Sequence, residues 1–127
     1  MKILVCGGRA YNNAKHVFET LRALDPKPTL LINGGAPGAD ALAREWAIAN
    51  NVAVQTFYAN WAVYGRAAGP IRNQKMIDDG KPELVIAFPG HLGTIDMCKR
   101  ARACGIKVVE HHGAYLPIKI PPMRTGL

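Results

Sequence analysis

The sequence predicts a three-layer α/β domain with a mainly parallel sheet of about five strands. Three observations predict it. Short runs rich in β-branched residues alternate with segments of helical period, as in successive βαβ units. Three of those runs close on glycine, at Gly7-Gly8, Gly34-Gly35 and Pro89-Gly90. The first run, Lys2–Cys6, is apolar without alternation, which fits a strand covered by helices on both faces.

Each element has its own signal. Beyond the first strand, Ala14, Val17, Phe18, Leu21 and Leu24 recur at i, i+3, i+4, i+7 and i+10, one stripe of a helix. Asn12 or Asn13 caps its start and Pro26 stops it. Residues 29–32 read as the second strand, ending at Asn33. Ala39, Leu42, Ala43, Trp46 and Ala47 mark the inner face of a second helix. Residues 52–58 read as the third strand. After Trp61 a loop rich in Gly and Ala leads to a helix from about 70 to 79, proline being welcome in a first turn. Residues 83–88 form the fourth strand, 94 to about 104 the last helix, ended by Gly105, and 106–109 the fifth strand. The domain is expected over residues 1–110. An irregular tail is expected over 111–127, where Pro117, Pro121 and Pro122 fall.

Composition narrows the function classes. A chain of 127 residues, 49% hydrophobic and 20% charged, is the size and profile of one globular domain. No apolar run approaches the ~18 residues of a membrane span, and the start resembles no signal peptide. Three cysteines without C-x-x-C spacing argue against a disulfide framework, and Cys104 with His111 and His112 fits no zinc pattern. A reduced cytoplasmic protein without metal or cofactor is expected. The net charge of +7 invites anionic partners. It is dispersed along the chain, however, with one local cluster at Lys99, Arg100 and Arg102, so it suits a small phosphorylated ligand as well as nucleic acid.

A parallel sheet places its ligand crevice outside the carboxyl ends of its strands, where the glycines of this chain fall. In the turn from Gly34 through Gly35 and Gly38 to Asp40, glycine lets backbone N–H groups approach an anion at a helix start. Asp40 serves there either as a cap of free amides or as an acceptor for a ribose hydroxyl. The turn from Gly90 through Gly93 and Thr94 has the same architecture and adds a hydroxyl, with Asp96 one turn inside, facing the crevice or only offsetting the helix dipole. Between the two turns, Trp61, Tyr64, Arg66, Arg72 and Asn73 supply bidentate phosphate grips, stacking rings and an amide; the rings serve equally as buried anchors of a long connection.

Four motifs in order carry a resemblance: Gly7-Gly8-Arg9, Gly34-Gly35-Ala36-x-Gly38-Ala39-Asp40, Trp61-x-x-Tyr64-Gly65-Arg66-x-Ala68-Gly69-Pro70-x-Arg72-Asn73, and Phe88-Pro89-Gly90-x-x-Gly93-Thr94-x-Asp96. Together they resemble the YspA-like branch of the SLOG superfamily, from the first strand to about Glu110. The resemblance implies a Rossmann-like domain that binds a nucleotide or nucleotide-derived ligand through Gly7, Gly8, Arg9, Gly34, Gly35, Gly38, Asp40, Arg66, Asn73, Gly90, Gly93 and Thr94. The lonely-guy phosphoribohydrolases are similar at Arg72-Asn73-Gln74-Lys75-Met76 and at 89–96. That likeness implies a nucleotide N-glycosidase in which Arg72 steadies the substrate and Asp96 supports an oxocarbenium-like transition state or orients water. Two departures stand against it. Asp96 is one methylene shorter than the family's glutamate, and His91 replaces a glycine. The DNA-processing protein A family resembles Gly34–Asp40 and implies the alternative, single-stranded nucleic-acid binding. Relatives of this fold pair through helices, and the Ala-rich helix from 39 is suited to close packing, so a homo-oligomer is expected.

Overall fold

The computed structural model describes residues 1–112, and its sheet has five strands, all parallel. These are β1 (Lys2–Cys6), β2 (Leu30–Asn33), β3 (Ala53–Thr56), β4 (Leu84–Ala87) and β5 (Lys107–Glu110). They lie in the order β3-β2-β1-β4-β5. The chain therefore walks outward from β1 to β3, returns to the centre, and leaves on the other side through β4 and β5. The point of reversal lies between β1 and β4, where such sheets hold their ligands.

Alternation along the central strands fills two cores. Ile3 and Val5 of β1 and Leu31 of β2 point into one, with Val17 and Leu21 of α1 (Ala14–Arg22) and Ala39, Ala43, Trp46 and Ala47 of α2 (Ala39–Ala49). Leu4, Cys6 and Ile32 point into the other, with Met76 and Ile77 of α4 (Ala68–Asp78) and Met97, Cys98 and Ala101 of α5 (Leu92–Ala103). Helices thus cover both faces, which is why β1 and β4 read as continuous apolar runs.

The capping and stop signals act as read. The Asn13 side chain accepts from the His16 amide at 3.1 Å and starts α1. At Gly105, φ is +75°, the left-handed conformation that ends α5. One segment differs from expectation. The connection after β3 is not a loop: Trp61–Tyr64 form a short helix, α3, capped by the Asn60 side chain, and Gly65–Ala67 a 3₁₀ turn. The following helix begins at Ala68, two residues before Pro70. The Pro70 ring sits in its first turn, where no intrahelical N–H is needed, so the start is free to move upstream. The tail beyond 112 lies outside the described residues.

Candidate functional site

Backbone hydrogen bonds tie the turns after β1 and β4 together at the point of reversal. The Gly8 amide donates to the Pro89 carbonyl at 2.8 Å, and the Gly8 carbonyl accepts from the amides of Tyr11 and Ala39 at 3.2 Å each. Gly38 makes the last contact possible: its φ is +79°, and a Cβ there would collide with the Gly8 and Arg9 backbone. The start of α2 therefore packs directly on the turn after β1.

A cavity of about 670 Å³ opens beside this junction. Gly7, Gly8 and Arg9 form one wall, Arg66, Arg72 and Asn73 another, and Gly93, Thr94 and Asp96 at the start of α5 a third. Trp61 and Leu92 also line it. Arg9, Arg72 and Thr94 thus share one hollow. Gly34, Gly35, Gly38 and Gly90 do not line it; they shape its turns. The Asn33 side chain accepts from the Gly35 amide at 2.8 Å, and a Cβ on Gly90 would strike the Thr94 hydroxyl.

Arg72 is held at both ends of its guanidinium. Its Nη1 donates to the Gly34 carbonyl at 2.6 Å and its Nε to Asn73 Oδ1 at 3.0 Å. Burial lowers its pKa; the nearby Asp40 charge opposes that and Arg9 adds to it, and the group stays cationic. A half-buried cation facing a second cation across a cavity is a place that favours an anion.

Asp40 is buried, and its Oδ2 accepts from the Gly34 amide at 2.9 Å and the Ala36 amide at 3.3 Å. These are the bonds of a turn cap. Burial pushes its pKa up to about 6, against the pull of those two amides, Arg72 and Arg44. Asp96 is the opposite case. Burial raises its pKa, but hydrogen bonds from Arg100 and Asn73 outweigh that and hold it below the usual carboxylate range. It is therefore ionised, with Oδ2 accepting from Arg100 Nε at 2.8 Å and Asn73 Nδ2 at 2.9 Å.

Comparison with known proteins follows this geometry. Residues 1–64 match the model of the YAcAr family, described as the YspA, cpYpsA-related SLOG family. The chain belongs to that family. It is also similar to the Gene 61 protein of Mycobacterium phage D29, at 30% identity over 119 residues, 86% of this chain and 94% of that protein. Among solved structures it is similar to DNA processing protein A (DprA) from Streptococcus pneumoniae, with a TM-score of 0.72 and 23% identity. That match covers 91% of this chain and 51% of the DprA chain, so this chain spans about half of its length. At that identity the likeness is one of fold, and it agrees with the Rossmann-like strand order. No helix among the described residues is long and apolar enough to cross a membrane.

Residues from all four motifs line the one cavity, and the structure adds what the motifs omit. Arg100 lies in the last turn of α5, as the sequence suggests, and it also bonds to Asp96, one turn earlier on α5, while its Nη1 donates to Gln74 of α4 at 3.1 Å. The i, i+4 spacing from Asp96 is the signal that identifies it. Tyr64 does not line the cavity, whereas Trp61 does, half-exposed at its edge.

Proposed function

We propose that the cavity binds a nucleotide or nucleotide-derived small molecule, its phosphate against the start of α5 and its base toward Trp61. The observation that carries this reading is that Arg9, Arg66 and Arg72 line one hollow together with Gly93 and Thr94 at the start of α5. Fixed guanidinium groups recognise phosphate bidentately, and N–H groups at the start of a long helix add a positive field. A volume of about 670 Å³ falls within the range of small-molecule sites.

Titrating the chain with nucleoside monophosphates, diphosphates and ADP-ribose tests this. Saturable binding is expected, weakened roughly 10- to 100-fold by Arg72→Ala, the loss of one charge-assisted contact. Single-stranded DNA is the counter-probe. Tight binding to it with a steep salt dependence, and none to the nucleotides, overturns the reading in favour of nucleic-acid recognition.

An ionised carboxylate in the same cavity supports a second, finer reading, phosphoribohydrolase-like cleavage of the N-glycosidic bond. Asp96 in that state suits stabilisation of an oxocarbenium-like transition state. The reading expects free base to be released from a nucleoside monophosphate, and release to be lost in Asp96→Asn. Release that survives Asp96→Asn unchanged removes the carboxylate from the chemistry.

A further inference from the structure

His16 of α1 and His111, one residue past β5, meet across the end of the sheet. His16 Nε2 and His111 Nδ1 lie 3.2 Å apart, a hydrogen bond between residues 95 apart in the chain. Both rings touch Phe88. His111 stacks on it at 5.2 Å between centroids, and His16 meets it edge-on at 5.6 Å. The His111 amide donates to the Ala87 carbonyl at 2.8 Å, beyond the β4–β5 pairing that ends at Glu110. The pair therefore fastens the end of the edge strand β5 to α1.

A bond between two imidazoles holds one proton between the facing nitrogens, donated by one ring and accepted by the other. That arrangement is satisfied when both rings are neutral and when one is charged. It fails when both are charged, because both facing nitrogens are then donors and two cations repel at close range. The surroundings do not relieve the repulsion. Glu110 lines a second cavity of about 260 Å³ with His111 and His112, but its carboxylate is taken by Arg102 of α5. His112 contributes like charge, and Tyr11, stacked on Phe88, is an uncharged phenol. On α1, Lys15 and Glu19 flank His16 in exposed positions. Among the described residues, neither ring forms an ion pair with an acidic side chain. Burial lowers the His111 pKa, and the charges of His16 and His112 lower it further.

We propose that His16 and His111 form an acid-released clamp. At neutral pH the pair holds the end of β5; when both rings are charged it lets go, uncovering Phe88 and widening the second cavity. Histidine is the side chain whose charge ordinarily changes in the physiological range. Thr94 lines both cavities, so the segment that is freed faces the start of α5.

Amide hydrogen exchange and imidazole nitrogen NMR of the full chain, without ligand, test the clamp separately from the nucleotide reading. After correction for intrinsic exchange, protection of the His111 amide is expected to fall on the order of tenfold or more from about pH 7.5 to about pH 5. The Leu4 amide, in the central strand, is expected to keep its protection. In His16→Gln the carboxamide stands near the position of Nε2 and can donate to His111 or accept from it, whatever its charge. Protection at His111 is then expected to persist in acid. Asp40 is present in both chains, so its opposite pH dependence cancels in the comparison. Equal protection at both pH values overturns the proposal, as does an equal loss in wild type and His16→Gln. Loss at Leu4 in step with His111 also overturns it, since the whole fold then opens. Should His16→Gln fail to fold, the wild-type ring nitrogens decide alone. Two separated protonation steps are expected, with His111 protection lost on the second; loss on the first overturns the clamp.

Discussion

The Asn73 side-chain amide donates to Asp96 Oδ2 at 2.9 Å and so joins α4 to α5 at the cavity wall. The same nitrogen reaches the Gly93 carbonyl at 3.2 Å, and the amide oxygen accepts from Arg72 Nε. One buried side chain thereby sets the position of the guanidinium relative to the start of α5.

Asn73→Ala is expected to destabilise the fold by roughly 1–3 kcal/mol, since it strands buried partners. It is also expected to weaken nucleotide binding, because Arg72 loses its lateral support. Urea unfolding and ligand titration of the same variant check both. Unchanged affinity would mean that the Gly34 carbonyl alone orients Arg72.

Asp40 makes stability depend on pH in a direction unusual for a carboxylate. Its folded pKa, about 6, lies above the ordinary 3.8, so between those values the folded chain holds more protons than the unfolded one. Stability from this group is therefore full below the lower value and lost as pH rises through the upper, a change on the order of 3 kcal/mol. Asp96, with its lowered pKa, contributes in the reverse sense, losing stability as pH falls. Comparing wild type with Asp40→Asn by urea unfolding isolates the first effect. The wild type is expected to lose stability relative to the variant as pH rises across the window.

Gly38→Ala is expected to cost about 2 kcal/mol or more, since it adds a left-handed strain to a backbone collision with Gly8 and Arg9. Relief of that collision displaces the turn after β1, so binding is expected to fall together with thermal stability. Gly93→Ala provides the contrast. Its added Cβ meets nothing within 4 Å, and the helical position accepts alanine.

Much of this was legible in the residues. The five strands, their parallel sense and the layers follow from Gly-closed apolar runs and helical stripes, because a buried parallel sheet leaves both signals in the chain; the strand order came only from the structure. The helical character of 61–67 was not legible. Its residues are exposed, so no apolar stripe marks it, and Gly65 at φ +56° interrupts the pattern. The convergence of Arg9, Arg72 and Thr94 was readable as an expectation from the strand-end rule. The pairing of Asp96 with Asn73 and Arg100 was not, since it depends on how α4 packs against α5. Equally, glycine spacing could not separate Gly8, which lines the cavity, from Gly38, which only lets α2 approach.

Amide NMR during titration with a nucleoside monophosphate and with ADP-ribose measures the central proposal most directly. The expected result is saturable shifts concentrated at Gly8, Arg9, Gly93 and Thr94, diminished in Arg72→Ala. Absence of shifts with every nucleotide, or shifts confined to the α1–α2 layer, would contradict it.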